Sequence, residues 1–224
     1  MAAALALPAA SGPRPAVIVI HELFGLNDDI RRITARFADL GYVALAVDLF
    51  DTGEAKPLCV LRTMLAGLRG AGRAFDDLEA ARRWLATRPE VDAGAIGVAG
   101  FCMGGGFALL WAARAPLRVA ATFYGAVPKT ADELRGVCPV LGGFGGRDAL
   151  FAGQGARLET LLQELGVPHD VKTYPDAGHS FMSRHEPGFL TTLGAYGPLK
   201  AGFDPGAEED SWRRIALFYR EHLG

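Results

Sequence analysis

Apolar runs of strand length alternate along this chain with stretches of helical period. Residues 16–20, 42–47, 95–99, 119–123 and 140–144 are continuously apolar or nearly so. Such runs fit strands buried on both faces of a parallel sheet. Residues 170–174 are a sixth, more polar candidate. Between them, 28–40, 55–68, 74–86, 103–113, 154–165 and 208–222 carry the helical pattern. Leu40-Gly41 and Leu165-Gly166 read as helix ends closed by glycine. Glu208, Glu209 and Asp210 open the last helix, where negative charge suits the helix dipole. Trp212, Ile215, Ala216 and Tyr219 then form a stripe suited to packing on a sheet. This alternation predicts one α/β domain over residues 1–224: a mostly parallel, doubly wound sheet with flanking helices and ligands beyond the carboxyl ends of its strands. Residues 1–14 precede the first strand signal and are expected to be loosely ordered. Residues 182–206, rich in Gly and Pro, are expected to be a long irregular loop that borders the site.

The chemistry enters at the end of the third run. Gly100-Phe101-Cys102-Met103-Gly104 follows the apolar run 95–99 and opens an apolar helix. The arrangement is that of a nucleophile elbow, with cysteine where serine is usual. A sharp strand-to-helix turn strains the backbone at the nucleophile and needs glycine on either side. It also presents the sulfur to a helix N-terminus, which favours a thiolate. The alternative is a buried structural cysteine in a glycine-rich bend. Downstream, Gly143-Phe144-Gly145-Gly146-Arg147-Asp148 places a carboxylate after the next strand but one. Asp176-Ala177-Gly178-His179-Ser180-Phe181 places a histidine after the last. Asp148 alone could be a turn or cap aspartate, and His179 an ordinary loop histidine. Together they give the order nucleophile, acid, base of α/β-hydrolases, each at a strand's carboxyl end.

Composition narrows the remaining classes. There are 25 acidic and 23 basic residues, for a net charge of −2, and no basic run points to nucleic acid or an anionic membrane surface. The three cysteines, Cys59, Cys102 and Cys138, are odd in number and lack metal-ligand spacing, which suits a reducing compartment. The Ala/Leu/Pro-rich start has no Lys or Arg before its short apolar stretch and makes a poor secretory signal, and no apolar run reaches spanning length. A soluble, cytoplasmic protein is expected.

These residues together resemble the dienelactone hydrolase family of α/β-hydrolases over nearly the whole chain. The resemblance is carried by His21-Glu22-Leu23-Phe24-Gly25-Leu26-Asn27, by Gly100 to Gly105, by Gly143 to Asp148 and by Ala177-Gly178-His179-Ser180-Phe181. It implies hydrolysis of a small lactone, of the carboxymethylenebutenolide type, in the breakdown of chloroaromatics. It also implies no metal, no cofactor and a monomer. It assigns Glu22 a role that triad logic alone misses: this carboxylate contacts the resting cysteine and takes the thiol proton when substrate arrives. A neutral resting thiol is protected from oxidation. Glu22 could instead cap the helix near Asn27 or pair with a surface arginine. The expected catalytic set is Cys102, Asp148, His179 and Glu22, with the backbone N–H groups of Leu23 and Met103 as oxyanion donors. Tyr124 and Phe24 are candidates to line the pocket, or else core aromatics.

The sequence also departs from the family pattern. Only about 15 residues precede the first strand, so the sheet is expected to be smaller at that edge. The family holds its substrate's carboxylate with two arginines. One of those positions is Ser183 here, with Arg184 next to it; for the other, Arg62 and Arg69 are candidates. The chemistry therefore transfers better than the substrate. A non-catalytic ligand-binding relative and a thiol redox sensor stand as alternatives.

Overall fold

A computed structural model describes residues 2–51, 53, 56–186 and 188–224. Ala55, the expected first residue of the second helix, lies outside them. Chain order is β1 Ala3–Ala6, β2 Arg14–Ile20, α1 Asp28–Asp39, β3 Val43–Val47, α2 Lys56–Arg69, α3 Arg73–Ala86, β4 Val91–Phe101, α4 Met103–Ala112, β5 Ala120–Phe123, a 3₁₀ turn, β6 Val140–Gly145, α5 Gln154–Leu165, β7 His169–Tyr174, α6 Phe189–Tyr196 and α7 Pro205–His222.

The strands form one seven-stranded sheet ordered β1-β3-β2-β4-β5-β6-β7, parallel from β3 through β7. The apolar runs have the expected cause: β3, β5 and β6 are buried along their whole length. Two apolar clusters, one on each side of the sheet, use alternate strand residues, with Ile18, Leu45 and Val98 in one and Val17, Ala44 and Ala99 in the other. α4 is apolar all round and buried along most of its length, so it sits inside the core rather than on it. α1 is opened by Asn27, whose side chain accepts from the Ile30 N–H at 2.9 Å, with Asp28 and Asp29 in its first turn.

Two expectations fail. Residues 1–14 are not loose throughout: β1 pairs antiparallel with β3 in the register Ala3↔Val47 to Ala6↔Ala44. The edge is therefore extended by a strand, not left at the first buried run. The small residues of β1 carry little β-propensity, so its pairing comes from the otherwise open edge of β3. Residues 182–206 are not wholly irregular either, because they hold α6.

The order matters for function. From β2 the chain moves outward to β3, then returns to place β4 on the other side of β2. The crevice beyond the carboxyl ends of β2 and β4 is thus the switch point of the sheet, where α/β folds bind ligands.

Candidate active site

Glu22 follows β2 and Cys102 follows β4, so both emerge at that crevice. Cys102 has φ +53° and ψ −117°, a conformation non-glycine residues avoid, at a cost of about 1–3 kcal/mol. The surroundings enforce it. The Cys102 N–H donates to the Phe123 carbonyl on β5 at 3.0 Å. A Cβ on Gly100 would lie 2.0 Å from the Gly104 carbonyl oxygen, and one on Gly104 would lie 2.3 Å from the Ile20 carbonyl oxygen. Only glycine lets α4 approach β2 and β4 this closely, so the elbow read from the sequence is present.

The Cys102 thiol is held well above its ordinary value. Burial is the largest cause, and the Glu22 carboxylate is next. The Met103 N–H opposes them, Asp148 adds to them, and the Leu23 N–H opposes them. Leu23 follows β2 and Met103 opens α4, so both backbone N–H groups lie at the crevice where Cys102 emerges.

Asp148 and His179 are both buried and joined, with His179 Nδ1 2.6 Å from Asp148 Oδ2. The other carboxylate oxygen, Oδ1, accepts from the Phe151 N–H at 3.2 Å. The carboxylate is thus fixed at both ends, and Nε2 is the ring nitrogen left for proton transfer. The ring lies between Phe151 and Tyr124, with centroids 4.9 and 5.1 Å away. The His179 backbone is tied to the segment that follows: its N–H donates to Leu199 at 2.9 Å, and its carbonyl accepts from Gly202 at 3.0 Å. The 182–206 segment therefore borders the site, as expected.

Glu22 is buried and ion-paired. Oε1 accepts from Ser183 Oγ at 2.9 Å, and Ser183 Oγ shares a 3.0 Å hydrogen bond with the Tyr124 hydroxyl. His185 Nε2 lies 2.8 Å from Oε2, within ion-pair distance but off the line of the ring N–H. Burial pushes the Glu22 carboxyl up, but His185 and Ser183 overcome it and hold it below the ordinary carboxylate range. Conversely, burial lowers the His185 imidazole, yet Glu22, with Asp29 adding, raises it overall. The Phe24 ring packs on His185 at 4.8 Å. Leu23 and Phe24 are half-exposed and stand at the mouth of the site.

Three substrate-binding expectations are corrected. The Arg184 guanidinium is bound to Glu208 at 3.0 Å and stacks on Phe203, while its N–H donates to Asp29. It braces α1 and α7. Arg62 lines a separate cleft of about 300 Å³ between α2 and α3, with Arg69, Arg73 and Asp77; none of Glu22, Cys102, Asp148 or His179 lines it. Tyr124 is fully buried, so it backs His179 and Ser183 instead of lining an open pocket. Sequence reasoning missed His185 and the bridging role of Ser183. The one available signal was a histidine six residues beyond the catalytic one, which periodicity does not reveal. Among the described residues, no His, Cys, Asp and Glu group is arranged to hold a metal ion, and no helix is long and apolar enough to cross a membrane.

A profile of the dienelactone hydrolase family matches residues 1–223. The chain belongs to the dienelactone hydrolase family. A Salmonella typhimurium protein provisionally named carboxymethylenebutenolidase is 32% identical, over 100% of this chain and 84% of its own length. A crystal structure of a dienelactone hydrolase-like promiscuous phosphotriesterase from metagenomic libraries is 30% identical, covers 96% of this chain and 90% of its own, and has a TM-score of 0.77. A provisionally named dienelactone hydrolase from Klebsiella pneumoniae is 26% identical, over 95% of this chain and 89% of its own, with a TM-score of 0.74. The chain is accordingly an α/β-hydrolase-fold ester or lactone hydrolase of the carboxymethylenebutenolidase type.

Proposed function

We propose that this enzyme hydrolyses small lactones or esters through a Cys102 thioester. The observation that carries the reading is the convergence of three features. Cys102 sits on a strained elbow, the Met103 and Leu23 N–H groups lie at the same crevice beyond β2 and β4, and the buried His179–Asp148 pair is spaced at 2.6 Å. Substrate entry frees Glu22 to take the thiol proton, and the thiolate attacks the carbonyl carbon. The two N–H groups stabilise the oxyanion. The intermediate then expels the alkoxide or enolate oxygen, leaving a thioester; that oxygen takes the thiol proton back from Glu22, whose carboxylate is restored. Water, deprotonated by His179, attacks the thioester; the C–S bond breaks, the thiolate takes the proton from His179, and the acid leaves. Asp148 keeps the His179 tautomer and stabilises its cation.

The redox alternative is disfavoured by placement. Cys138 precedes β6, at the end of the parallel sheet opposite Cys102. The non-catalytic alternative is disfavoured because every member of the catalytic set is present. Substrate is the open variable. With Arg184 and Arg62 elsewhere, neutral esters and lactones fit as well as acidic ones. The test is hydrolysis of p-nitrophenyl acetate and small lactones by wild type and Cys102→Ala, with acid-quenched mass spectrometry. An acyl group on the Cys102 peptide is expected. Undiminished turnover by Cys102→Ala would sink the thioester route.

A further inference from the structure

His21 is fully buried between the end of β2 and the loop after β3, and the mechanism above does not use it. Its two ring nitrogens have different partners. The Leu49 N–H donates to Nε2 at 3.0 Å, and Nδ1 lies 2.6 Å from the Glu22 carbonyl oxygen. An amide N–H can only donate and a carbonyl oxygen can only accept. The partners therefore select one state of the ring, with Nε2 bare and Nδ1 carrying the proton. Both contacts are made only by neutral imidazole in that tautomer. Burial favours the neutral ring, although Asp48, 3.6 Å from Nε2, pulls the other way. The ring is also packed against Phe50 at 4.7 Å.

The consequence runs through one peptide unit. The Glu22 carbonyl and the Leu23 N–H belong to the same rigid plane and point in opposite directions across it. Fixing the oxygen fixes the direction of the N–H. That N–H lies in the turn directly after β2, at the crevice into which Cys102 emerges from β4, and it lowers the Cys102 thiol against the burial that raises it. The His21 contact is the shorter of two made to that oxygen. The Gly25 N–H reaches the same Glu22 oxygen at 3.2 Å, and Gly25 itself has φ +76°, while the Leu23 side chain is half-exposed.

We infer that His21 is a positioning residue for the oxyanion hole: its Nδ1–H holds the Glu22 carbonyl, and so aims the Leu23 N–H at the reacting carbonyl oxygen. The inference rests on the hydrolytic reading above but does not depend on which atom is the nucleophile. Any acyl transfer at this elbow generates an oxyanion. A leucine at 21 fills the space and loses both hydrogen bonds. A glutamine can offer an N–H to Glu22 and an oxygen to Leu49.

The test compares His21→Leu and His21→Gln with wild type in two reactions. Hydrolysis of p-nitrophenyl acetate passes through an oxyanion. Alkylation of Cys102 by iodoacetamide, followed on the Cys102 peptide, does not. In His21→Leu, kcat should fall on the order of 10²-fold, the effect of misplacing one oxyanion donor, with KM changed little. Alkylation should change only severalfold, because the Leu23 N–H is the smallest of the named influences on the thiol. His21→Gln should recover most of kcat. Near-wild-type hydrolysis by His21→Leu would overturn the inference. So would a parallel loss of both reactions, or a glutamine variant no better than leucine. If His21→Leu does not fold, His21→Gln and His21→Asn carry the comparison: asparagine is too short to reach both partners and should lose kcat where glutamine keeps it. Hydrolysis that survives Cys102→Ala but not His21→Leu would sink the thioester route and leave the role of His21 standing.

Discussion

Replacing Glu22 with glutamine perturbs the site at its centre. The substitution preserves shape and removes one charge from a buried carboxylate. Glutamine can still accept from Ser183 and can turn its amide toward His185 Nε2, so the fold should survive. Burial, the larger cause of the raised Cys102 thiol, remains; the second cause, the Glu22 charge, is gone. A charge across a site of effective dielectric constant near 20 contributes roughly 1–3 kcal/mol. At about 1.4 kcal/mol per factor of ten, the thiolate fraction at fixed pH should rise on the order of 10- to 100-fold. Because the thiolate is the nucleophile, iodoacetamide labelling of the Cys102 peptide at pH 8 reports that fraction. Labelling should still lag behind that of a solvent-exposed cysteine, since burial is untouched. Turnover should move the other way, falling at least about 10²-fold for loss of a proton acceptor. Labelling–pH profiles that superimpose would show that the Glu22 charge does not reach the sulfur. Unimpaired hydrolysis by Glu22→Gln would show that His179 and Asp148 suffice.

Other outcomes are expected at neighbouring positions. Cys102→Ala should leave less than about a tenth of wild-type kcat, and more would refute the assignment, whereas Cys138→Ala should be near neutral for turnover. Cys138 should also label slowly, since burial pushes its thiol up to about 12. Asp148→Asn should cost about 10³- to 10⁴-fold in kcat with KM little changed, because the 2.6 Å contact that sets the His179 tautomer is lost; a tenfold effect would mean that Phe151 and Tyr124 orient the ring unaided. Arg184→Ala should alter KM for acidic lactones and neutral esters alike, because its guanidinium is committed to Glu208; a rise confined to acidic substrates would reverse the correction made above. The Glu22–His185 pair should leave a pH signature in stability. His185 is raised in the folded state, so its contribution is full below the ordinary histidine value and is lost as pH rises through the raised one. Glu22 is lowered, so its contribution is present above the ordinary carboxylate value and is lost as pH falls through the lowered one. The Tm gap between wild type and His185→Asn should therefore be widest near pH 5–6 and should close toward alkaline pH; a gap independent of pH would show that the pair is not ionised.

The sequence by itself determined the parallel core and the catalytic order. Both are local signals: β3, β5 and β6 must be apolar along their length because both faces are covered, and the elbow needs Gly100 and Gly104 because backbone passes within a Cβ's reach. Asp148 and His179 were legible because each follows a readable strand. What only the tertiary structure decided is long-range pairing. β1 is a strand because β3 offers it an edge, not because Ala3–Ala6 prefers one. Arg184 looked like a substrate cation by position, yet Glu208, 24 residues away, claims it. Ser183 and His185 meet Glu22 across 161 residues or more of chain, where no periodicity connects them. A residue's type and its place after a strand fix what chemistry it can do. Which partner neutralises a buried charge depends on what folding brings alongside it, and that is set by the strand order and not by neighbours in the chain.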